Sequence, residues 1–118
     1  MTFRRISLTL AVCAVFGVAA TADAATPKLT GEVGPGFTIE VKAGSKDVKT
    51  LKAGTYTIKV EDKSSIHNFH LFGHGVNKKT TVPFTGTQTW KVTLKKGTYT
   101  YQCDVHAFSG MKGTFKVT

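Results

Sequence analysis

The chain has 118 residues and a formal net charge of +9, from 16 Lys and Arg against 7 Asp and Glu. Only Arg4 and Arg5 are arginines, so lysine carries almost all of the positive charge. Nucleic-acid and phosphate sites depend on the bidentate guanidinium of arginine, so this composition argues against a nucleic-acid-binding protein. The length allows one small domain.

The N-terminus has the pattern of a secretory signal peptide. Two arginines precede an apolar run over residues 6–20, and residues 22–24 are Ala-Asp-Ala, a small-x-small cleavage pattern. The apolar run is too short for a permanent transmembrane helix, so we expect no stable membrane insertion. The pattern predicts an exported protein, periplasmic or secreted, with a signal peptide at residues 1–24 and a single domain at residues 25–118.

Cleavage changes the chemistry that is left in the chain. It removes Met1 and Cys13, so Cys103 and Met111 are the single cysteine and the single methionine of the mature protein. A lone cysteine cannot form an intramolecular disulfide, and in an oxidising compartment it needs burial or a bound ligand for protection. The charge falls from +9 to +8, because two arginines and one aspartate are removed, and fourteen lysines remain.

Apolar and polar residues alternate in four segments of the mature chain: 37–41, 56–60, 90–94 and 115–117. A period of two is typical of half-buried strands, and glycine-containing turns separate these segments. The pattern predicts an all-β fold, a Greek-key antiparallel β-sandwich of about seven or eight strands in two sheets. We expect three aromatic side chains in its core: Phe37, Trp90 and Tyr99. The last of these is also a candidate for the hydrogen bond of a tyrosine corner.

The segment 101–111 contains three side chains that can bind a metal. Cys103 ends an alternating strand, so its thiol should point inward, and the following loop can bring His106 and Met111 back over it. A thiolate, an imidazole and a thioether suit copper, which is bound in such sites by two imidazoles and one thiolate in a plane with a long axial methionine. The pattern therefore requires one more histidine upstream.

Three histidines lie close together upstream and are all candidates: His67, His70 and His74. In the alternating segment 65–72, His67 shares its phase with the apolar residues of the expected core face. His70 is out of phase, so we expect it on the solvent face. His74 lies between two glycines and is expected in a turn. Periodicity therefore favours His67.

Other chemistries fit Cys103 less well. A buried structural thiol is the commonest role of a lone cysteine. That role does not explain why His106 and Met111 follow Cys103 at the spacing of metal ligands. A Cys–His nucleophile needs an orienting carboxylate and an oxyanion hole, and neither is indicated upstream. Attachment of a c-type haem needs a second cysteine, and structural zinc prefers four Cys or His ligands.

Two features together resemble the cupredoxin family of type 1 blue copper proteins. One is His67-Asn68, and the other is Cys-x-x-His-x-x-x-x-Met after a Gly-x-Tyr-x-Tyr strand. Plastocyanin-like and pseudoazurin-like members are nearest by loop spacing, and the resemblance covers essentially the whole mature chain. It implies one type 1 copper ion, a cupredoxin-like sandwich, a role for Asn68 in tying the two ligand-bearing segments together, and four copper ligands: His67, Cys103, His106 and Met111.

The resemblance also implies an apolar surface patch where the second histidine ligand reaches the surface. The candidates for this patch are Ala107, Phe108, Pro83 and Phe84. Two loops, residues 34–36 and 83–86, are expected at the same end of the sandwich.

The function expected from these features is the transfer of single electrons between redox partners by an exported monomer. A copper enzyme would need further copper ligands, typically in His-x-His pairs, and an open coordination position for substrate. The sequence has no such pair, so we do not expect an enzyme. Lysines scattered over the surface suit loose docking to a partner with an acidic face. The alternative is a periplasmic copper chaperone or copper-storage protein, which His70 and His74 near the site would favour.

Overall fold

The computed structural model describes Gly17 and residues 26–118. The predicted signal peptide therefore lies outside the described residues, except for Gly17. Within residues 26–118 the chain forms ten strands and one 3-10 helix, with these bounds: β1 Lys28–Val33, β2 Ile39–Ala43, β3 Lys46–Asp47, β4 Thr50–Leu51, β5 Gly54–Asp62, β6 His70–Gly73, β7 Val76–Lys79, β8 Gly86–Leu94, β9 Gly97–Gln102, the helix Ala107–Ser109, and β10 Lys112–Val117. None of the helices in this part of the chain has the length and apolar character to cross a bilayer.

The strands form two five-stranded sheets. The first has the order β3-β2-β1-β5-β8, and the second has the order β4-β10-β9-β6-β7. Most neighbours are antiparallel, but β1 pairs parallel with β5 and β10 pairs parallel with β4. The predicted all-β sandwich is confirmed, and its sheets are mixed rather than purely antiparallel. The described strands also outnumber the predicted seven or eight, because β3 and β4 are two-residue strands at the sheet edges that are too short to show alternation.

Alternation of side chains builds the core between the sheets. In β5, Tyr56, Ile58 and Val60 are buried while the residues between them are exposed or half-buried, and β8 repeats the pattern. Successive side chains of a strand point to opposite faces, so each sheet turns one apolar face toward the other. The interior is made by the following buried residues: Leu29, Val33, Val41, Tyr56, Ile58, Val60, Phe69, Leu71, Trp90, Val92, Leu94, Tyr99, Phe115 and Val117.

The tyrosine corner expected at Tyr99 is present. Its hydroxyl accepts a hydrogen bond from Lys95 N (2.8 Å) and donates one to the carbonyl oxygen of His74 (3.2 Å). Its ring is fully buried and stacks on Phe115, with ring centroids 5.5 Å apart. Tyr99 therefore ties β9 to the turn between β6 and β7.

Phe37 was expected in the core, and this prediction is wrong. β2 begins only at Ile39, and the backbone N–H of Gly34 donates to the carbonyl oxygen of Thr38 (2.9 Å), which closes a loop before the strand. Phe37 lies in that loop and is 63% exposed. The apparent alternation of residues 37–41 therefore extended the strand too far toward its N-terminus.

Candidate metal centre

Cys103 lies directly after β9, at one end of the sandwich. Its side chain is fully buried, as the alternation predicted, and its backbone N–H donates to the carbonyl oxygen of Met111 (3.0 Å). This bond continues the pairing of β9 with β10, in which Gln102 faces Lys112. The two strands therefore hold Cys103 and Met111 side by side.

The loop between these two residues folds back on itself. The N–H of His106 donates to the carbonyl oxygen of Cys103 (3.2 Å), and the carbonyl oxygen of His106 accepts from Ser109 (2.9 Å) and Met111 (3.3 Å). Gly110 has φ +99°, a left-handed conformation that glycine adopts without a steric penalty, and it ends the short helix. The local turn chemistry thus returns the imidazole of His106 to the thiol, three residues away in sequence.

His67 comes from a different loop, before β6. It is fully buried, and Asn68 and Phe69 are buried as well, so strict alternation does not hold in this segment. β6 begins only at His70. Phe69 is held against the backbone of Gly31, where an added Cβ would lie only 2.6 Å from its ring. The close approach of Phe69 to β1 therefore anchors the loop that carries His67.

Three donor atoms converge at this end of the sandwich. The Sγ atom of Cys103 lies 3.8 Å from Nδ1 of His67 and 3.6 Å from Nδ1 of His106, and the two Nδ1 atoms are 2.9 Å apart. Met111 is also buried, beside Cys103 through the backbone pairing. Among the described residues, these three are the cluster of histidine, cysteine and carboxylate groups that could hold a metal ion.

The spacing and the chemistry of the donors fit a bound ion. With the bond lengths that zinc makes, about 2.0–2.1 Å to nitrogen and about 2.3 Å to sulfur, donors at 120° place sulfur and nitrogen about 3.8 Å apart. The observed sulfur–nitrogen distances, 3.8 and 3.6 Å, are near this value. The two nitrogens are 2.9 Å apart, closer than the separation of about 3.6 Å that the same bond lengths give at 120°. Closed zinc sites take four nitrogen, sulfur or carboxylate ligands, whereas two imidazoles and one thiolate beside a thioether are the donor set of blue copper sites. The residues present therefore fit copper.

Phe37 completes the wall around the two imidazoles. Its ring packs edge-on against His67 and against His106, each with a centroid separation of 4.9 Å. Sequence alternation missed this role, because it placed Phe37 in the interior of the sandwich. The glycines of the loop 34–36 are the local signal that the strand had not yet begun at this position.

The large apolar side chains that are exposed in residues 26–118 concentrate at this end. Phe108 is 89% exposed, and the others are Phe37, Ile66 and Val105. All of them lie within two positions of a site histidine or touch one. We call these four residues the apolar rim. Of the four patch residues expected from the family resemblance, Phe108 belongs to this rim, while Phe84 and Ala107 are half-buried and Pro83 is exposed.

Asn68 links the two ligand-bearing segments. Its Nδ2 donates to Oδ2 of Asp104 (2.9 Å) and to the carbonyl oxygen of Thr80 (3.2 Å), and its Oδ1 accepts from the backbone N–H of Asp104 (2.8 Å). Asn68 follows His67 in sequence, and Asp104 follows Cys103. The role that the family resemblance implied for Asn68 is therefore present, with Asp104 as its partner.

A buried hydrogen-bond network continues from Asn68 into the first sheet. The hydroxyl of Thr80 donates to Oδ2 of Asp62 (2.8 Å) and accepts from the backbone N–H of Phe69 (2.9 Å). Asp62 ends β5 and also accepts from the N–H of Ser64 (3.2 Å). Thr80 and Asp62 have no sequence pattern that distinguishes them, because their roles depend on contacts between residues 11 to 18 positions apart.

The two carboxylates of this network have opposite pKa shifts. Burial raises the pKa of Asp62, and hydrogen bonds from Thr80 and Ser64 only partly oppose it. Burial also acts to raise the pKa of Asp104, but hydrogen bonds from Gln102, His70 and Asn68 outweigh it and lower the pKa to about 2. Asp104 is therefore ionised at neutral pH, next to the thiol of Cys103 in sequence.

The other two candidate histidines do not join the cluster. His70 is half-buried rather than on an open solvent face, and its Nδ1 bonds to Oδ1 of Asp104 (2.7 Å). His74 is exposed in the turn 73–75, as predicted. The structure thus brings His67 and His106 to Cys103, whereas His70 contacts Asp104 and not the thiol.

Solved structures of rusticyanin and of auracyanin are among those that resemble the chain. Reduced rusticyanin is 21% identical over 77% of this chain and 78% of its own, with a TM-score of 0.56. Rusticyanin from Thiobacillus ferrooxidans is 22% identical over 77% of this chain and 76% of its own, with a TM-score of 0.52. Auracyanin from the photosynthetic bacterium Roseiflexus castenholzii is 19% identical over 80% of this chain and 99% of its own, with a TM-score of 0.56.

The chain has the cupredoxin fold. The cupredoxin-like sandwich that the resemblance implied is thereby confirmed. No protein-family model matches the sequence, and comparison with curated proteins gives no match either. At 19–22% identity the likeness to cupredoxin structures concerns the fold, so the case for copper rests on the donor atoms of this chain.

Proposed function

We propose that the protein is an exported carrier of single electrons with one type 1 copper ion bound by His67, Cys103, His106 and Met111. The observation that carries this proposal is the convergence of two imidazole Nδ1 atoms on a buried thiol at the end of a β-sandwich. When bound, copper supplies one-electron chemistry by alternating between Cu(I) and Cu(II).

The protein's part is to hold these ligands and to exclude water. Cys103 and His67 are fully buried, and Phe37 covers the edges of both imidazoles. The thiol is anchored at the end of β9, and His67 is anchored through Asn68 and Phe69. Ligands that the surrounding protein holds by hydrogen bonds and packing keep their positions in both oxidation states. This lowers the reorganisation energy of each electron transfer.

The surface supports transient docking of redox partners. Phe37 of the apolar rim packs on the ring of His106, and Val105 and Phe108 lie one and two positions from it in sequence. His106 is half-buried whereas His67 is fully buried, so His106 is the histidine more open to a docked protein. Fourteen lysines give the mature chain its positive charge, and lysine is a hydrated, flexible point charge that speeds encounter without locking a complex. We infer a monomer in the periplasm or outside the cell that meets partners with an acidic docking face.

Copper storage or transfer has less support, and so does enzymatic activity. The two histidines that favoured a chaperone on sequence grounds are used elsewhere: His70 bonds to Asp104, and His74 lies in the turn between β6 and β7. A chaperone also favours open, exchangeable ligands, whereas the thiol here is buried. A copper enzyme needs further copper ligands. Within residues 26–118, the cluster of groups that could hold a metal consists of His67, Cys103 and His106.

The colour of the purified protein after addition of Cu(II) tests the proposal. We expect an intense blue or green charge-transfer band for the wild type and its complete loss in Cys103→Ser, whose apo form should still fold because the core comes from the sandwich. A colourless wild type, or a Cys103→Ser variant that keeps the band, contradicts the proposal.

The place of Met111 has a separate test. Met111→Leu should keep the colour and raise the reduction potential, because loss of an axial sulfur favours Cu(I). Thr114→Leu, which places a leucine at an exposed position of the same strand without a change of charge, is the control and should leave the potential nearly unchanged. An unchanged potential in Met111→Leu would remove Met111 from the ligand set.

A further inference from the structure

We propose that His70 is a positioning residue of the metal centre, which acts by holding the side chain of Asp104 in the orientation that clamps the two ligand-bearing segments. This inference rests on the proposed copper function. It is carried by a chain of short contacts that leads from His70 to the residues beside His67 and Cys103.

The ring of His70 is held on both sides. Nδ1 donates to Oδ1 of Asp104 over 2.7 Å, and Nε2 lies 2.6 Å from Oδ1 of Asn77 on β7. The side chain is only 17% exposed and packs beside Phe72, with ring centroids 4.8 Å apart. One hydrogen bond, one short polar contact and one aromatic contact thus hold the imidazole, so it can hold its partner in turn.

Asp104 is the junction between His70 and the ligand segments. Its Oδ1 accepts from His70 and from Nε2 of Gln102 (3.0 Å), while its Oδ2 accepts from Nδ2 of Asn68 (2.9 Å). Its backbone N–H donates to Oδ1 of Asn68 (2.8 Å). Both carboxylate oxygens are therefore held by hydrogen bonds, and Oδ2 is the one that bonds to Asn68.

Loss of the His70 contact should loosen this clamp. A carboxylate that is held by Gln102 alone at Oδ1 can rotate away from Asn68, which stands next to His67. Hydrogen-bonded partners behind metal ligands orient those ligands, and their removal typically costs about 10–100-fold in metal affinity. The N–H that His70 donates also offsets the negative charge of Asp104, which follows Cys103. Loss of this N–H should therefore favour Cu(II) over Cu(I).

The test compares two substitutions of His70 that differ in one donor. His70→Leu removes the hydrogen bond to Asp104, whereas His70→Asn offers an amide N–H near the place of Nδ1. His74→Leu is the matched control, because His74 is an exposed histidine outside the cluster. Asn77→Ala provides a milder variant, since it removes only the outer contact of the His70 ring.

Two measurements are made on each variant. In the apo protein, hydrogen exchange of the Asp104 amide reports on the bond to Asn68 without any metal. In the copper form, the absorption spectrum, the copper affinity and the reduction potential report on the centre. We expect His70→Leu to keep its colour, to lose about tenfold in copper affinity, to lower the potential and to speed exchange of the Asp104 amide. His70→Asn should recover most of each change, and Asn77→Ala should give smaller changes in the same direction.

The outcomes separate this inference from the proposed function. Suppose that the wild type is blue but that His70→Leu changes neither the hydrogen exchange of the Asp104 amide nor the copper affinity nor the reduction potential. His70 is then only a structural residue, and the inference is wrong. If His70→Leu does not fold, the same result in Asn77→Ala leads to the same conclusion. A failure of His70→Asn to recover the changes overturns it as well. A wild type without a blue site overturns the proposed function, and this inference with it.

Discussion

His67 and His106 point the same ring nitrogen at the same thiol, yet they lie in opposite surroundings. His67 is fully buried, and the residues that follow it are bonded to Thr80, Asp104 and the first sheet. His106 is half-buried in a loop whose backbone–backbone hydrogen bonds stay within the loop itself.

The difference separates two tasks within one site. The His67 side is built by the sandwich and a buried polar network, and it holds the geometry. The His106 side is built by a short loop beside the apolar rim, and it is the half that is partly open to solvent. Substitutions in the two halves are therefore expected to have effects that differ in kind.

The largest effect is expected from removing each imidazole in turn. His67→Gly and His106→Gly should both lose the blue band. Added imidazole should restore the colour of His106→Gly, because the vacated volume opens to solvent, but not that of His67→Gly, whose volume is enclosed. Titration of both copper-loaded variants with imidazole, followed by absorption spectroscopy, checks this. Equal rescue of the two variants would remove the distinction between the halves.

A smaller effect is expected from the network behind His67. Thr80→Val keeps the shape of the side chain but leaves Oδ2 of Asp62 and the amide of Phe69 without a hydrogen-bond partner. The free energy of unfolding of the apo protein should fall by about 1–3 kcal/mol, since buried groups are left unsatisfied. Thr89→Val, at an exposed position of β8, is the control and should change it by less than about 0.5 kcal/mol. Chemical denaturation measures both, and equal values would show that the network contributes no stability.

The pH dependence of stability tests the same network at Asp62. Because burial raises its pKa above the usual value, the folded state binds a proton there more readily than the unfolded state. Its favourable contribution is therefore present at low pH and is lost as the pH rises through the raised pKa. Relative to Asp62→Asn, the wild type should lose stability as the pH increases through this range. Denaturation of both proteins at a series of pH values would show a constant difference if Asp62 does not titrate in this way.

The smallest effect on stability is expected on the His106 side. Phe108→Ser should change the free energy of unfolding by less than about 0.5 kcal/mol, because the side chain is 89% exposed. It should nevertheless slow bimolecular electron transfer to a redox partner. Thr93→Ser, at an exposed position near the far end of β8 from the Asp62–Gly86 pair, should not. Stopped-flow kinetics with both variants decides this, and a wild-type rate in Phe108→Ser would exclude the rim as the docking face.

Ionic strength gives the matching test of charge in the same kinetic assay. With a Debye length of about 10 Å at 0.1 M salt, the bimolecular rate should fall as salt is added if the partner has an acidic face. The electron-transfer step within the formed complex should change little. A rate that is flat or rises with salt would leave the lysines as solubilising charge.

The sequence by itself determined the features that depend on near neighbours. Alternation over 56–60 and 90–94 placed β5 and β8, because the period of two is a local property of extended backbone. The spacing from Cys103 to Met111 predicted a loop that returns His106 to the thiol, since a few turn bonds suffice for it. Where this local rule was extended to residues 37–41, it failed, because a hydrogen bond from Gly34 to Thr38 bends the chain before the strand begins.

Only the tertiary structure decided what lies behind and around the cluster. Asp62, Thr80 and Asn68 come from three separate segments, and their hydrogen bonds form only when the two sheets are stacked. Within the second sheet, the pairing of β6 with β9 places His70 opposite Gln102 and so brings it to Asp104, a residue 34 positions away. A histidine that its phase assigned to solvent is therefore only 17% exposed and bonded to a carboxylate. Periodicity gives the face on which a side chain leaves its strand, but the partner that it meets there depends on the packing of segments distant in sequence.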